Sequence, residues 1–415
     1  METPPPDEPA TPPIGPAAAR VVEPSWLTRH RADLVWLLIV AVLYVACTAA
    51  VAANTHSAGN RDRAMRVALQ IASGRLDSGL KPGTLDTATE PGGTFLVISP
   101  LPIVPYLLFV PIEAAWGASR WIVSCVLGVA AAWLMLPLAR RYGPGGSTTR
   151  WLAVLGAFGT LLWTQSISGN FYYLAHVEAM LFTLGALIEW GGRRRPWVIA
   201  LGIGLAGLAR PTVLLAAIPL GIGLLMGARD RWRTAVAFGI PVLAVVGVTA
   251  FYNAARFGSP LETGYGISTL SNKTLIEARA KGVFSLRHVA DNLHTLFVQG
   301  FSFRGHPLPH PVPSSYGHSI LLTTPALLIA LWTGIRSRTA VVLWSSAFLI
   351  AIPLLLYYGG GGFWTYGYRY ALDVTPFLLA LVAMGARRHF GAIEKVLIVL
   401  SVVFVGYGAL WAITH

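Results

Sequence analysis

Leu34-Val-Trp-Leu-Leu-Ile-Val-Ala-Val-Leu-Tyr-Val-Ala-Cys-Thr-Ala-Ala-Val-Ala-Ala53 contains no charged side chain. A helix rises roughly 1.5 Å per residue, so about 20 apolar residues cross the hydrocarbon core of a bilayer. The stretch therefore reads as a membrane-spanning helix. It starts too far into the chain, and runs too long, for the apolar part of a cleavable signal peptide. Outward from it, similar runs recur at 96–116, 121–138, 151–165, 176–190, 197–209, 212–226, 234–254, 319–333, 340–357, 370–386 and 396–413.

Composition agrees. Of 415 residues, 54% are hydrophobic and only 12% charged, with a mean hydropathy of +0.60. Soluble domains carry about 25% charged residues. A disordered chain, a disulfide scaffold and an ordinary soluble enzyme are excluded. The net charge of +13 and pI near 10.1 would suggest nucleic acid in a soluble protein. Here the arginines stand in short clusters between apolar runs, as the positive-inside rule requires, and no nucleic-acid partner is expected. Cys47 and Cys125 both fall in apolar runs, so neither a disulfide nor a cysteine metal site is expected.

The clusters Arg140/Arg141/Arg150, Arg193–Arg195, Arg229/Arg231/Arg233, Arg336/Arg338 and Arg387/Arg388/Lys395 alternate with the runs. Placing all five in the cytoplasm makes alternate loops external. Residues 1–33, rich in Pro and Ala, read as a disordered cytoplasmic tail. Parity then puts both ends of 54–120 outside, although 96–116 is apolar. That run contains Pro100, Pro102, Pro105 and Pro111, which break the backbone ladder where lipid cannot satisfy the freed groups. It reads as a re-entrant or interfacial segment. The rival arrangement makes it a kinked span and joins 197–226 into one helix broken at Arg210–Pro211. The expected fold is an all-α polytopic membrane protein of about 11 transmembrane helices. Residues 34–415 form a single transmembrane domain with outer loops 54–95, 255–318 and 358–369. The expected location is a bacterial inner (plasma) membrane.

Long loops in a compact protein are commonly functional. In the first, Arg61–Ser73 has helical periodicity, with Met65, Leu69 and Ala72 on one face and Ala68 and Ile71 beside them. This suits an amphipathic helix on the membrane surface. Asp62 at its start reads either as a helix-dipole charge or as a reactive carboxylate. Arg61, Arg63 and Arg66 would keep it ionised and bind an anionic head group, of a substrate or of bulk lipid. Arg210 interrupts an apolar stretch, so it is either a functional charge or a snorkelling one. His176 and Glu178 open a span. The third loop, Tyr357 to Asp373, has four consecutive glycines and many aromatics. The glycines permit close backbone approach, and the rings suit sugar stacking or an interfacial belt. Arg369 and Asp373 are spaced to pair with each other. The stretch 286–301 puts Leu286, Val289, Leu293, Phe297 and Phe301 near one helical face, as expected of a surface helix capping a groove. Prolines around His306 and His310 exclude a zincin-type metal site, and no nucleotide-binding or hydrolase-elbow motif is present.

Five stretches resemble the GT-C superfamily of integral membrane glycosyltransferases, the group of the protein mannosyltransferases and aminoarabinose transferases, in its bacterial branch. They are Asn60-Arg-Asp62-Arg63; Glu90-Pro-Gly-Gly93 with Ser99-Pro-Leu-Pro102; Gly207-Leu-Ala-Arg-Pro-Thr212; Tyr252-Asn-Ala-Ala-Arg-Phe-Gly-Ser-Pro-Leu-Glu-Thr-Gly-Tyr265; and Gly361-Gly-Phe-Trp-Thr-Tyr-Gly-Tyr-Arg-Tyr370 with Asp373 and Pro376. Many members have two adjacent acidic residues in the first loop, whereas Arg63 follows Asp62 here. The resemblance implies inverting transfer of a sugar from a polyprenyl-phosphate donor to a glycan, lipid or protein acceptor on the outer membrane face. It implies Asp62 as base and a substrate site including Arg63, Arg66, His176, Arg210, Glu262, Tyr368 and Arg369. Some relatives use a divalent cation, but no ligand set stands out in this chain. The competing reading is a transporter or flippase of a lipid-linked saccharide, with the same groove and arginines but no base.

Overall fold

The computed structural model describes residues 26–54, 63–305, 309–314, 316–360 and 366–414, with side chains from residue 31 onward. The chain divides into two compact units, Met1–Ile39 and Val40–His415. The first holds the beginning of the helix Trp26–Asn54; all other elements belong to the second. Within the segment 1–33 read as a tail, residues from Trp26 onward are helical, and residues 1–25 lie outside the described residues.

The described residues are mostly helical, with two short antiparallel hairpins among them. Among the described residues, six helical segments are long and apolar enough to cross a membrane: Arg31–Asn54, Glu113–Tyr142, Phe171–Trp190, Arg231–Phe257, Arg338–Leu356 and Ala392–Thr414. Pro196–Ala209, Pro211–Gly227 and Thr375–Ala386 are apolar but shorter. The run at 96–116 forms no long helix. It is broken into a strand end, a 3-10 turn at Leu101–Ile103, a single α turn at Val104–Leu107 and another 3-10 turn at Glu113–Ala115. Its four prolines account for this, since each removes a donor from the ladder.

Side-chain caps define several helix starts. Asn170 accepts from Tyr172 N at 3.0 Å, and Asp230 accepts from Arg233 N at 2.9 Å. The helix from Arg231 ends at Gly258, whose φ of +73° is the left-handed stop that glycine adopts without strain. Between Ala209 and Pro211, Arg210 is extended (φ −137°, ψ 99°), because the residue before proline avoids the helical region.

The amphipathic helix of the first loop is Arg63–Ala72. Its inner face is Ala64, Met65, Val67 and Ala68, buried against Leu96, Ile98, Ile103, Tyr106, Val123, Phe171 and Leu174. The apolar stripe read as membrane-facing is therefore spent largely on protein, and Ala72 lies exposed.

The three long loops converge. Asp86 N donates to Thr269 O (2.9 Å) and Thr269 N to Thr87 O (2.8 Å), which joins the first loop to the second. Ser285 N donates to Leu356 O (2.8 Å) and Tyr358 N to Val283 O (3.1 Å), which joins the second to the third. Buried Arg256, at the end of its helix, donates to the carbonyls of Ile98 (3.0 Å) and Leu96 and so ties down the turn after the first hairpin. Basic clusters meet at other contacts: Arg387 donates to Gly143 O and Arg141 O, both at 3.1 Å.

The expected groove cap is a 3-10 turn, Leu286–His288, followed by the helix Val289–Phe297. Its orientation is the reverse of a buried apolar face. Leu286, Leu293 and Phe297 are exposed, while His288 and Asn292 are buried. Asn292 Nδ2 donates to the carbonyls of Leu355 (2.8 Å) and Tyr357 (2.9 Å), so a polar side chain holds the helix to the third loop.

Candidate active site

A buried polar network lies where three helical segments meet. His176, on the second turn of the Phe171 helix, has Nδ1 2.6 Å from Asp373 Oδ1. Arg210 Nε donates to Asp373 Oδ2 at 3.1 Å, and Thr212 Oγ1 to the same oxygen at 3.3 Å. The His176 and Asp373 side chains are 1% and 0% exposed, and that of Arg210 is 14% exposed. A carboxylate in this position is tolerable because a guanidinium faces it. Arg210 is thus neither a snorkelling arginine nor a free one. Its guanidinium also lies 5.2 Å from the Tyr370 ring centre.

Asp373 does not pair with Arg369, the partner that local spacing offered. Arg369 has no carboxylate partner among the described residues. Its Nη2 donates to the Tyr370 hydroxyl at 3.0 Å, and its buried Nε has no hydrogen-bond partner among the described residues. The guanidinium lies 4.9 Å from the Tyr370 ring and 5.9 Å from the Tyr173 ring. Two arginines therefore flank Tyr370. One is neutralised by Asp373 and the other keeps its charge.

Arg369 faces a cavity of about 320 Å³, within the range of about 300–1,000 Å³ usual for small-ligand sites. Its walls come from all three loops and the capped end of the Phe171 helix. The first loop gives Leu85 and Asp86, the helix Asn170, Tyr172 and Tyr173, the second loop Ser271 and Asn272, and the third Tyr357, Tyr358 and Tyr370. The lining couples one uncompensated cation and one carboxylate to several aromatic faces and neutral hydrogen-bonding groups. Such a surface suits an anion attached to a polyhydroxylated body.

Arg63 and Arg66, one turn apart on the same helix, reach different surroundings. Arg63 reaches the cavity side, where Nη1 donates to Leu85 O (2.7 Å) and lies 4.0 Å from Asp86 Oδ2. Arg66 lines a different, largely apolar groove of about 460 Å³ with Met65, Leu69 and Trp116. Tyr368 is buried with its hydroxyl unpartnered, 6.2 Å from the Tyr370 ring. Glu262 stands apart from these groups and closes a local turn by accepting from Gly264 N at 2.6 Å. Asp62 and Arg61 lie outside the described residues, as do His306 and the central part of the Gly-aromatic stretch, 361–365.

Asp86, Tyr172, Tyr173, Ser271 and Asn272 were not picked out from the sequence. Asp86 alone offered a signal, as an acidic residue in a turn-forming stretch of an external loop. A divalent cation finds no ready ligand set, because no group of three His, Cys, Asp or Glu side chains converges among the described residues.

In comparisons with known proteins, no family model, no curated protein and no solved structure matches the chain. The fold and site define the class of the molecule: a helical membrane protein with a ligand-sized polar cavity at the end of its bundle where the long loops meet.

Proposed function

We propose that the protein is a membrane glycosyltransferase. It takes a sugar from a polyprenyl-phosphate donor and passes it, with inversion, to a hydroxyl of an envelope acceptor at the outer face of a bacterial inner membrane. The observation that carries this reading is Arg369, a guanidinium without a carboxylate partner among the described residues, on a ligand-sized cavity walled by tyrosines. Counting the three shorter apolar helices as crossings gives nine, and the proposed arrangement of about 11 spans adds the apolar runs 151–165 and 319–333.

The chemistry follows from charge. When the bond between the anomeric carbon and the phosphate oxygen breaks, the leaving phosphate gains negative charge. A fixed guanidinium stabilises that charge more in the transition state than in the bound donor. Arg369 remains protonated throughout, so its role is electrostatic. Asp373 supports this indirectly. By engaging Arg210 and His176 it leaves Arg369 available. The tyrosine rings offer apolar faces to a sugar, and Asn170, Ser271 and Asn272 offer hydrogen bonds. The acceptor proton goes to an outer-loop carboxylate, a role the family resemblance gives to Asp62.

Transport needs a route through the bundle. The cavity-lining Tyr370 packs against the buried His176–Asp373–Arg210 network, with His176 and Arg210 5.4 and 5.2 Å from its ring, and this fixed arrangement favours chemistry over passage. Profiling lipid-linked sugars in a strain lacking the gene separates the two. A transferase defect accumulates one polyprenyl-phosphate sugar together with an envelope glycan missing that sugar. Loss of a flippase instead traps the lipid-linked saccharide on the cytoplasmic leaflet.

A further inference from the structure

Asp86 is the carboxylate on the cavity wall among the described lining residues. It sits in the turn leading into the strand Thr87–Glu90, with φ +60°, a left-handed conformation that few residues other than glycine adopt. Three contacts hold it there. Its backbone N–H donates to Thr269 O (2.9 Å), its backbone C=O accepts from Val97 N (3.0 Å), and its Oδ2 accepts from the Tyr172 hydroxyl. Arg63 Nη1 stands 4.0 Å from the same oxygen. No described residue hydrogen-bonds Oδ1. The side chain is 31% exposed, so the carboxylate can be reached by a ligand. The fold thus fixes one carboxylate oxygen and leaves the other available, on a cavity that also holds Arg369.

Building on the glycosyltransferase reading, we propose that Asp86, in place of Asp62, is a catalytic residue, the carboxylate that accepts the proton of the attacking hydroxyl. The acceptor O–H proton passes to Asp86 as the acceptor oxygen bonds to the anomeric carbon. The bond from that carbon to the phosphate oxygen breaks, and its electron pair leaves with polyprenyl phosphate toward Arg369. The products are the glycosylated acceptor and polyprenyl phosphate, and Asp86 returns its proton to water. A base and a phosphate-binding cation must stand at separate points around one reacting carbon. In this cavity Asp86 comes from the first loop and Arg369 from the third; the Tyr172 hydroxyl bonds the former and the Tyr173 ring lies 5.9 Å from the latter. Tyr172 fixes the aim of the carboxylate, a duty distinct from accepting the proton.

Asp86→Asn is the decisive variant, because its amide oxygen still accepts from Tyr172 while its basicity is gone. Wild type, Asp86→Asn and Asp62→Asn are purified in full length, reconstituted in nanodiscs and given short-chain polyprenyl-phosphate monosaccharides together with a bacterial envelope glycan and lipid extract as the source of acceptor hydroxyls. Release of polyprenyl phosphate and donor binding are both followed. The expected result for Asp86→Asn is donor binding within threefold of wild type and release slower by about 10²–10⁴, the usual share of a general base. Asp86→Glu should recover part of the rate. Asp86→Asn turning over within threefold of wild type, with Asp62→Asn inactive, would overturn the assignment and leave the glycosyltransferase reading standing. Wild type that binds the donors but releases polyprenyl phosphate from none would overturn both.

Discussion

Removing Asp373 tests the charge arrangement on which the site depends. In Asp373→Ala, Arg210 loses its counter-charge while its side chain stays only 14% exposed, and His176 and Thr212 lose a shared acceptor. Breaking a buried ion pair from one side costs about 3–5 kcal/mol, because the remaining charge is left without compensation. Arg369→Ala should behave differently. It removes one hydrogen bond to Tyr370, worth about 1 kcal/mol, and ring contacts of comparable size, but it also removes a cation that has no carboxylate partner among the described residues. Its net cost should stay within about 1 kcal/mol. The assay is reversible unfolding of detergent-solubilised protein by added denaturing surfactant, followed by tryptophan fluorescence. A loss for Asp373→Ala several times that for Arg369→Ala is expected. Equal losses would mean that the two residues form a local pair, and the reasoning would fail.

Two further outcomes follow from the loops. Asn292→Leu should cost about 1–3 kcal/mol, because it strips a donor from two carbonyls beside the cavity; hydrogen exchange at Tyr357–Gly360 should quicken in the folded protein, and unchanged exchange would contradict the anchoring role. The Arg75 guanidinium, hydrogen-bonded to Asp77 at 2.8 Å, holds that carboxyl below the usual carboxylate range, against the opposing effect of burial. A depressed folded-state pKa gives stability that is present above the unfolded value of about 3.9 and is lost as pH falls through the folded value. Exchange around Gly79, whose N–H donates to Asp77, should therefore rise only below about pH 4 in wild type, and already at pH 7 in Asp77→Asn.

The helical, membrane-spanning character was legible because it depends on composition alone. An apolar run of sufficient length has few other uses. The lengths of the helices were less so, since prolines and the extended Arg210 divide runs that look continuous in hydropathy. Partners of the buried charges were not legible. Asp373 meets Arg210 across 163 positions and His176 across 197, whereas the sequence offered only Arg369, four residues away. Periodicity located the helix around Leu293 but not which side it buries. In a membrane protein an apolar stripe can face lipid, and here Asn292 faces inward. Asp86 was hidden for a related reason: its cavity exists only once three loops, distant in sequence, are joined.

Arg369 is proposed to hold the phosphate of a lipid-linked sugar as it leaves. Turnover per folded molecule of wild type, Arg369→Ala and Arg369→Lys, in nanodiscs with a polyprenyl-phosphate sugar donor and an envelope extract as acceptor, tests that role. The account predicts a fall of about 10²–10³ for the alanine variant, the cost of losing one donor to a developing oxyanion. Lysine should restore only part of it, because an ammonium cannot fork two phosphate oxygens as a guanidinium does. An Arg369→Ala protein that releases polyprenyl phosphate as fast as wild type would contradict the account.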